Sequence, residues 1–291
     1  MILKMRKIPM IQVYNNYAET LLSLGEYEQA LKSIQLSLKE NMIDWNYEKL
    51  HDNPDSLIAN QPFQVIYALN IKAKTLSELY EKEEDFQDLD ASLKTYDLLD
   101  QFIHQLRQSF PLEDDKFQLQ RSLNESYDIY TNAVDSYYKA YQATGEDKYL
   151  KKCFQMSESS KSAIITDAFN SFDLNELSNV SDSLIDLEEE QKSKIAFYIS
   201  ELNSIDATKD SSRYFSYRSK LLKAYNTKDS IVHQIEEGFP NYHTYKYQNS
   251  AIQVEEIQKS LSPDMTMVAY FLSDSSNYAF IIQEDRFRVH D

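Results

Sequence analysis

The chain has 291 residues and a formal net charge of −17 at pH 7, so its surface repels phosphate backbones and anionic lipid. No basic patch beyond the short stretch KMRK offsets this charge, and neither nucleic acid nor a membrane surface is an expected partner. Apolar residues make up 42% of the chain, while Gly (3) and Pro (6) are scarce. This balance favours a mainly helical fold with a hydrophobic core.

Cysteine usage and hydropathy indicate the compartment. The single cysteine, Cys153, excludes an internal disulfide and fits a reducing environment. No apolar run approaches the roughly 18 residues that a membrane-spanning helix needs. The N-terminus carries positive charge but lacks the long apolar segment and cleavage site of a secretory signal. We therefore expect a cytoplasmic protein.

Three stretches share a helix–turn–helix pattern. They read YAETLLSLGEYEQALKSIQLSL, LSELYEKEEDFQDLDASLKTYDLL and YQATGEDKYLKKCFQMSESSKSAIITDAF. The residues at their turns are Gly25, Glu84 and Gly145. Aligning the turns brings one column of small residues into register: Ser33, Ser92 and Cys153. The period of about sixty residues predicts a helical repeat, the alternative being an ordinary bundle whose turns align.

The first stretch resembles the tetratricopeptide repeat. Its segment GEYEQAL carries the turn Gly25, then Tyr27 and the small Ala30, and Ala18 lies on the first helix where the two helices must approach. The other two stretches resemble lengthened relatives of it. The resemblance implies a helical-hairpin solenoid of three units over residues 1–172. The residues expected to pack these repeats are Ala18, Gly25, Ala30, Leu89, Gly145 and Leu150.

A solenoid of this kind has a concave groove that usually binds a peptide or a partner helix. In the first unit we expect Gln12, Asn15 and Glu19 on the groove side of the first helix. These side chains are uncharged or acidic, which argues against a basic clamp for a C-terminal carboxylate. The alternative, that they are simply solvated, stays open.

The sequence pattern of residues 173–240 predicts a long antiparallel helical hairpin. Its first helix is expected to bury one side: Leu184, Leu187, Ile195, Ile199 and Leu202. The acidic run Glu188–Glu190 lies near the start of that helix, where it complements the helix dipole, and is expected to be solvated. The second helix, RYFSYRSKLLKAYNTKDSIVHQIEEGF, has apolar residues at helical spacing, and Gly238 and Pro240 end it.

Residues 241–291 predict a short helix, QVEEIQKSL, followed by two strands that form a terminal β-hairpin. The second strand is apolar on both faces from Tyr278 to Ile282, which is typical of a strand that is covered on both sides. An isolated hairpin is marginal in water, and we expect no other segment of this chain to cover it. The hairpin from Thr266 to Val289 is therefore expected to be poorly protected from hydrogen exchange.

The order of these elements resembles bacterial proteins in which tetratricopeptide repeats precede a CHAT domain, a relative of caspases and separases. The matching stretches are GEDKYLKKCFQMSESSKSAIITDAF, SLIDLEEEQKSKIAFYISEL, FPNYHTYKYQNSAIQVEEIQKSL and DMTMVAYFLSDSSNYAFIIQEDRFRVHD. Ser157–Ser162 stands where the family has Ser-Glu-x-Ser-Lys-Ala, and Glu255–Leu261 matches the helix before the opening strands. The resemblance implies that residues 241–291 hold a linker helix and the first strands of an incomplete α/β caspase-like domain.

The resemblance also bears on catalysis. CHAT peptidases use a His general base and a Cys nucleophile, both well beyond the opening strands. Cys153 lies in the small-residue column and is expected to be a core cysteine, and His290 comes too early to match the catalytic His. No metal-ligand spacing, phosphate-binding glycine loop or serine-hydrolase elbow is present. We expect no catalytic residue, cofactor or metal in this chain.

Three functions are consistent with the sequence. The first is an interaction and scaffold module that binds a protein or peptide in its groove and regulates an attached CHAT protease-like domain. The second is a portion of a CHAT-family cysteine endopeptidase that is active only at full length. The third is a plain scaffold whose terminal strands pair with another chain. The terminal strands would be covered by the missing CHAT domain or by that other chain.

Overall fold

The computed structural model describes residues 10–43, 45–110, 128–161, 180–205, 209–240 and 253–291. Within these ranges the protein is mainly helical, with nine helices and a small three-stranded antiparallel sheet at the C-terminal end. The chain divides into two compact units. Unit 1 comprises Met1–Lys116 and Asn170–Tyr247, and unit 2 comprises Phe117–Phe169 and Gln248–Asp291.

The elements follow one another along the chain as predicted in outline. The helices are α1 (Met10–Ser23), α2 (Tyr27–Asn41), α3 (Pro62–Glu83), α4 (Phe86–Gln108), α5 (Ile129–Thr144), α6 (147–161, up to the end of that described range), α7 (Asp182–Ser204), α8 (Ser211–Gly238) and α9 (Val254–Ser260). The strands are β1 (Met267–Leu272), β2 (Asn277–Ile282) and β3 (Phe287–His290).

Two helical hairpins, α1–α2 and α3–α4, form the first part of unit 1, and α3 packs against both helices of the first hairpin. Local signals define the helix ends. Pro62 lies in the first turn of α3, and the Asp85 carboxylate caps α4 by accepting a hydrogen bond from the Gln87 amide at 2.9 Å. The turn residues Gly25 and Glu84 both have a left-handed backbone, with φ of 75° and 57°.

The helices α7 and α8 pack along each other and bury Ile195, Ile199 and Leu202. Two predictions for α7 are wrong. Leu187, expected on the buried side, is 45% exposed, and Glu188, expected in solvent, is fully buried. The buried positions of α7 recur every three or four residues, and this spacing includes position 188 instead of 187.

The sheet of unit 2 has the strand order β1-β2-β3, and both neighbouring pairs are antiparallel. The predicted second strand is divided in two. A tight turn interrupts it, in which the Gln283 amide donates a hydrogen bond to the Arg286 carbonyl at 2.8 Å. The prediction of a two-stranded terminal hairpin is therefore corrected to a three-stranded sheet.

Helices of unit 2 cover one face of this sheet. Phe280 is fully buried, and its ring centroid lies 5.4 Å from that of Phe154 on α6. The Tyr278 hydroxyl donates a hydrogen bond to the Asp135 carboxylate of α5 at 2.7 Å. The expectation that no segment of this chain covers the strands is wrong for this face. The repeat pattern predicted α5 and α6 as part of the repeats, and their contacts with the sheet join residues more than a hundred positions apart.

The opposite face of the sheet, which we call the outer sheet face, is exposed along β1. Its side chains Val268, Tyr270 and Leu272 are 43%, 60% and 74% exposed. They alternate with the buried Ala269 and Phe271, as the pleat of a strand requires. The sheet therefore has one covered face, and on its other face the apolar side chains of β1 are open to solvent.

Candidate functional site

The predicted groove residues lie on α1, beside α3. Gln12 and Glu19 are exposed, and the Tyr67 hydroxyl of α3 donates a hydrogen bond to the Glu19 carboxylate. Asn15 is fully buried, and its side-chain amide donates to the Gln64 carbonyl at 3.0 Å. Asn15 therefore ties α1 to α3 and does not face a groove. Of the predicted groove residues a partner can therefore reach Gln12 and Glu19, which lie beside the partly exposed Tyr67.

The predicted repeat-packing residues occupy two kinds of position. The members with side chains are at most 1% exposed: Ala18, Ala30, Leu89 and Leu150. Gly25 and Gly145 have φ of 75° and 70°, a conformation that L side chains rarely adopt. The Gly145 amide donates to the Tyr141 carbonyl at 2.7 Å and so closes the last turn of α5.

One hydrogen bond recurs in the three hairpins of the predicted repeat, α1–α2, α3–α4 and α5–α6. In each, a small side chain on the second helix donates to a backbone carbonyl on the first helix, 19 residues earlier in the chain. The donor–acceptor pairs are Ser33 with Tyr14 (2.9 Å), Ser92 with Ala73 (2.7 Å) and Cys153 with Val134 (3.4 Å). The small-residue column in the sequence therefore marks an equivalent contact point in each hairpin.

Cys153 lies fully buried between the helices of its hairpin. Burial, reinforced by the negative charge of Asp135, raises the pKa of its thiol far above the ordinary value. A nucleophilic cysteine needs the opposite environment, with partial exposure and a lowered thiol pKa. The prediction that Cys153 is a core residue is confirmed.

Two histidines, one in the segment after α2 and one on α4, contact polar side chains. His51 Nε2 lies 2.7 Å from a carboxylate oxygen of Asp88, whose side chain is 8% exposed. His104 Nε2 lies 2.9 Å from the side-chain amide nitrogen of Gln108, one turn further along α4. His243 lies outside the described residues. The His51–Asp88 pair fastens the segment after α2 to helix α4.

The connection between the first two hairpins, residues 45–61, is held by buried polar side chains. The Gln35 side-chain amide of α2 donates to the Leu50 carbonyl at 2.7 Å. The Lys72 ammonium of α3 donates to the Asp52 carbonyl and, at 2.9 Å, to the Asn53 side chain. Together with the pair between His51 and helix α4, these contacts attach the connection to three helices.

Lys72 is the residue that the sequence analysis missed in this region. It is fully buried, and burial lowers the pKa of its ammonium to about 7, although the charge of Asp52 acts in the opposite direction. The signal was present in the sequence as a lysine inside the largely apolar run YALNIKA of α3. A buried lysine of this kind requires fixed acceptors, which the connection supplies.

A cluster of aromatic and basic side chains lies on one side of the α7–α8 hairpin. We call it the aromatic face, and its members are Phe197, Tyr198, Arg213, Tyr217 and Lys220. The ring centroids of Phe197 and Tyr198 lie 6.0 Å and 5.8 Å from that of Tyr217. The charged groups of Arg213 and Lys220 lie 5.4 Å and 5.2 Å from the same centroid. The i, i+4, i+7 spacing of the three α8 members was its sequence signal.

The described residues contain neither a metal-ligand cluster nor a helix that could span a membrane. Within the described residues, no group of three or more His, Cys, Asp or Glu side chains is arranged to hold a metal ion. Over the same ranges, no helix is both long and apolar enough to cross a membrane.

Comparison with known proteins identifies no relative of this chain. No family model matches it, and no curated protein and no solved structure matches it either. Functional proposals for the chain therefore depend on its own residues and geometry.

Proposed function

We propose that this chain is a protein-interaction and scaffold module built from a tetratricopeptide-like solenoid. The observation that carries the proposal is the hydrogen bond that Ser33, Ser92 and Cys153 each make across their own hairpin at the same sequence spacing. An equivalent contact point in three hairpins supports a repeat better than an ordinary bundle with aligned turns. Repeats of this kind present extended surfaces to partner proteins.

The proposed partner site is the surface along α1 and α3. The packing of α3 against both α1 and α2 is the arrangement expected when each hairpin covers the one before it. The reachable side chains Gln12, Glu19 and Tyr67 lie on these helices, as does Phe63, which is 37% exposed. They offer an amide, a carboxylate and two aromatic rings, which favours a peptide with donor or basic groups over one held by its terminal carboxylate.

A displayed library of random short peptides, selected on the full chain, tests this site. The double variant Gln12→Ala/Glu19→Ala should weaken binding of the selected peptides about tenfold, because it removes two polar contacts at the centre of the site. The matched control is Gln29→Ala/Glu26→Ala, a hydrogen-bonded and exposed Gln–Glu pair at the start of α2. Equal affinities for both double variants, or a library that yields no binder, would contradict the proposed site.

We further propose that the module regulates an attached CHAT protease-like domain, whose opening strands form the sheet of unit 2. The exposed apolar side chains of the outer sheet face support the proposal that a further domain packs on that face, since large apolar patches usually mark interfaces. In this proposal the chain itself is non-catalytic and binds no cofactor. A cytoplasmic location agrees with its single cysteine.

The second candidate is a portion of a CHAT-family cysteine endopeptidase, which the same outer sheet face favours. An immunoblot of cell extract with an antibody against residues 184–237 measures the native polypeptide. A product well above 34.1 kDa would support an attached domain, whose His and Cys could then be substituted to separate the two candidates. A product at 34.1 kDa would contradict both and leave a scaffold whose β1 edge pairs with another chain.

A further inference from the structure

The aromatic face of the α7–α8 hairpin exposes an apolar centre to solvent. Phe197 is 52% exposed, although its ring contacts both Tyr198 and Tyr217 edge-to-face. Aromatic side chains beside arginine are the residue types that dominate the energetics of protein interfaces. The cluster therefore has the composition of an anchor site at a protein–protein interface.

Helix α8 supplies a local positive charge to this face. Two of its basic side chains, Arg213 and Lys220, lie on this face, in a chain with 47 acidic and 30 basic residues overall. Arg213 pairs with Glu201 at 2.6 Å, and its side chain is still 53% exposed. Lys220 has no carboxylate within ion-pair distance in the part of the chain that the structure describes. The face is thus locally basic within an acidic protein.

We propose that the aromatic face is a docking surface for a segment of a partner protein that carries carboxylates beside an apolar side chain. The apolar side chain packs against the exposed ring of Phe197, and the carboxylates lie near Arg213 and Lys220. This surface is separate from the proposed site on α1 and α3, so either can exist without the other.

The surroundings of the rings favour a protein segment over nucleic acid or lipid. Arg213 and Lys220 lie over the Tyr217 ring, and Phe197 meets it edge-on, so the Tyr217 ring is not free to stack on a base. The net charge of −17 opposes an extended phosphate backbone or a charged membrane surface. A short acidic segment interacts mainly with the charges within about 10 Å of it, because salt screens the rest.

The experiment selects binders from a displayed library of random short peptides on the full chain and measures their affinities by fluorescence anisotropy. We expect a class of binders rich in Asp and Glu with one large apolar residue. Phe197→Ser and Lys220→Glu should each weaken this class about tenfold, and added salt should weaken it further. The matched controls are Phe215→Ser, since Phe215 is 59% exposed on another side of α8, and Lys39→Glu on the exposed side of α2.

The outcomes separate this proposal from its rivals. Acidic binders that are insensitive to Phe197→Ser and Lys220→Glu, or the absence of such binders, would overturn it. Loss of affinity in Gln12→Ala/Glu19→Ala alone would assign the peptides to the surface of α1 and α3 instead. Three further measurements complete the test. They are the binding of oligothymidylate, the binding of vesicles of phosphatidylserine and phosphatidylcholine, and the oligomeric state of the chain by light scattering. If no acidic peptide binds and Phe197→Ser weakens one of these three interactions, the aromatic face is assigned to that ligand or to a second copy of the chain.

Discussion

At the scale of single residues, Lys72 shows how burial in unit 1 changes the pKa of a charged side chain. Burial lowers the pKa of its ammonium from 10.5 to about 7, and the charge of Asp52 recovers only part of that change. Between these two pH values the unfolded chain therefore binds more protons at this residue than the folded protein does. The free energy of unfolding should rise with pH across this window, because deprotonation relieves the penalty of a buried charge.

The first prediction concerns the variant Lys72→Met, which matches the lysine chain up to Cε and removes the charged group. The free energy of unfolding of the wild type, minus that of the variant, should increase by roughly a few kcal/mol from pH 7 to pH 10.5. Urea unfolding at a series of pH values measures the difference. Lys74→Met is the control, because the Lys74 side chain is 48% exposed and should leave the wild-type pH slope unchanged. An identical slope in Lys72→Met and wild type would contradict the prediction.

A second residue-scale feature is the buried ion pair of α7. The Glu188 carboxylate is fully buried, and the Lys192 ammonium lies 2.8 Å from it and 2.7 Å from Glu189. Burial by itself lowers the pKa of Lys192, but the two carboxylates outweigh this effect and the net shift is upward. The ammonium therefore stays charged, as a buried carboxylate requires of its partner.

The second prediction is that Lys192→Met destabilises the protein by about 3 kcal/mol, because it leaves a buried carboxylate without this counter-charge. The control is Lys194→Met, two residues along the same helix. Its ion pair with Glu190 is exposed on both sides, so the loss should stay below about 1 kcal/mol. Urea unfolding at neutral pH measures the free energy of unfolding of both variants. Equal decreases in the two would show that removing the partner of the buried Glu188 costs no more than removing the partner of an exposed carboxylate.

At the scale of elements, the turns between paired helices set the geometry of each hairpin. Gly25, Glu84 and Gly145 occupy equivalent turns, and all three have a positive φ between 57° and 75°. Only Glu84 has a side chain, and a left-handed backbone costs such a residue roughly 1 kcal/mol. The second hairpin thus tolerates a conformational cost that the other two avoid with glycine.

The third prediction is that Glu84→Gly stabilises the protein by about 1 kcal/mol, because glycine adopts the left-handed backbone without steric cost. The adjacent change Glu83→Gly, at the last residue of α3, should instead destabilise by up to about 1 kcal/mol, because glycine has a low propensity for the helical backbone. Thermal unfolding of the two variants provides the comparison. Destabilisation by Glu84→Gly would mean that the Glu84 side chain makes a contribution larger than the backbone cost.

At the scale of the whole molecule, the chain forms two compact units, and each combines segments that are far apart in sequence. In unit 2 the sheet depends on one aromatic cluster. Phe280 is fully buried, lies 5.4 Å from Phe154 and is paired in register with both Ala269 and Val289. Its strand, β2, is hydrogen-bonded on both sides, whereas β1 and β3 are edges.

The fourth prediction is that Phe280→Ala destabilises unit 2 by about 3–5 kcal/mol, because it removes a buried ring and leaves a cavity. Hydrogen exchange should show faster exchange in β2 and in the helices α5 and α6. The control is Tyr270→Ala on the outer sheet face, where a 60% exposed ring should cost much less. Unchanged protection of β2 in Phe280→Ala would show that the ring does not hold the sheet on its helices.

The helices and turns of this protein follow from local sequence. Apolar spacing predicted the long helices, and Gly25 and Gly145 marked turns because their positive φ is a local property of the backbone. The column of Ser33, Ser92 and Cys153 was visible as a repeat, since equivalent contacts across a hairpin recur at a constant spacing. These signals are short-range, so the sequence alone determined them.

Only the tertiary structure decided which sequence-distant groups meet. It places α5 and α6 under the sheet, buries Asn15 and Glu188, and surrounds Lys72 with acceptors from a connecting segment. It also divides the predicted second strand at a turn. The turn is a local contact between Gln283 and Arg286, whereas the other features depend on partners that lie far along the chain, which periodicity alone does not identify.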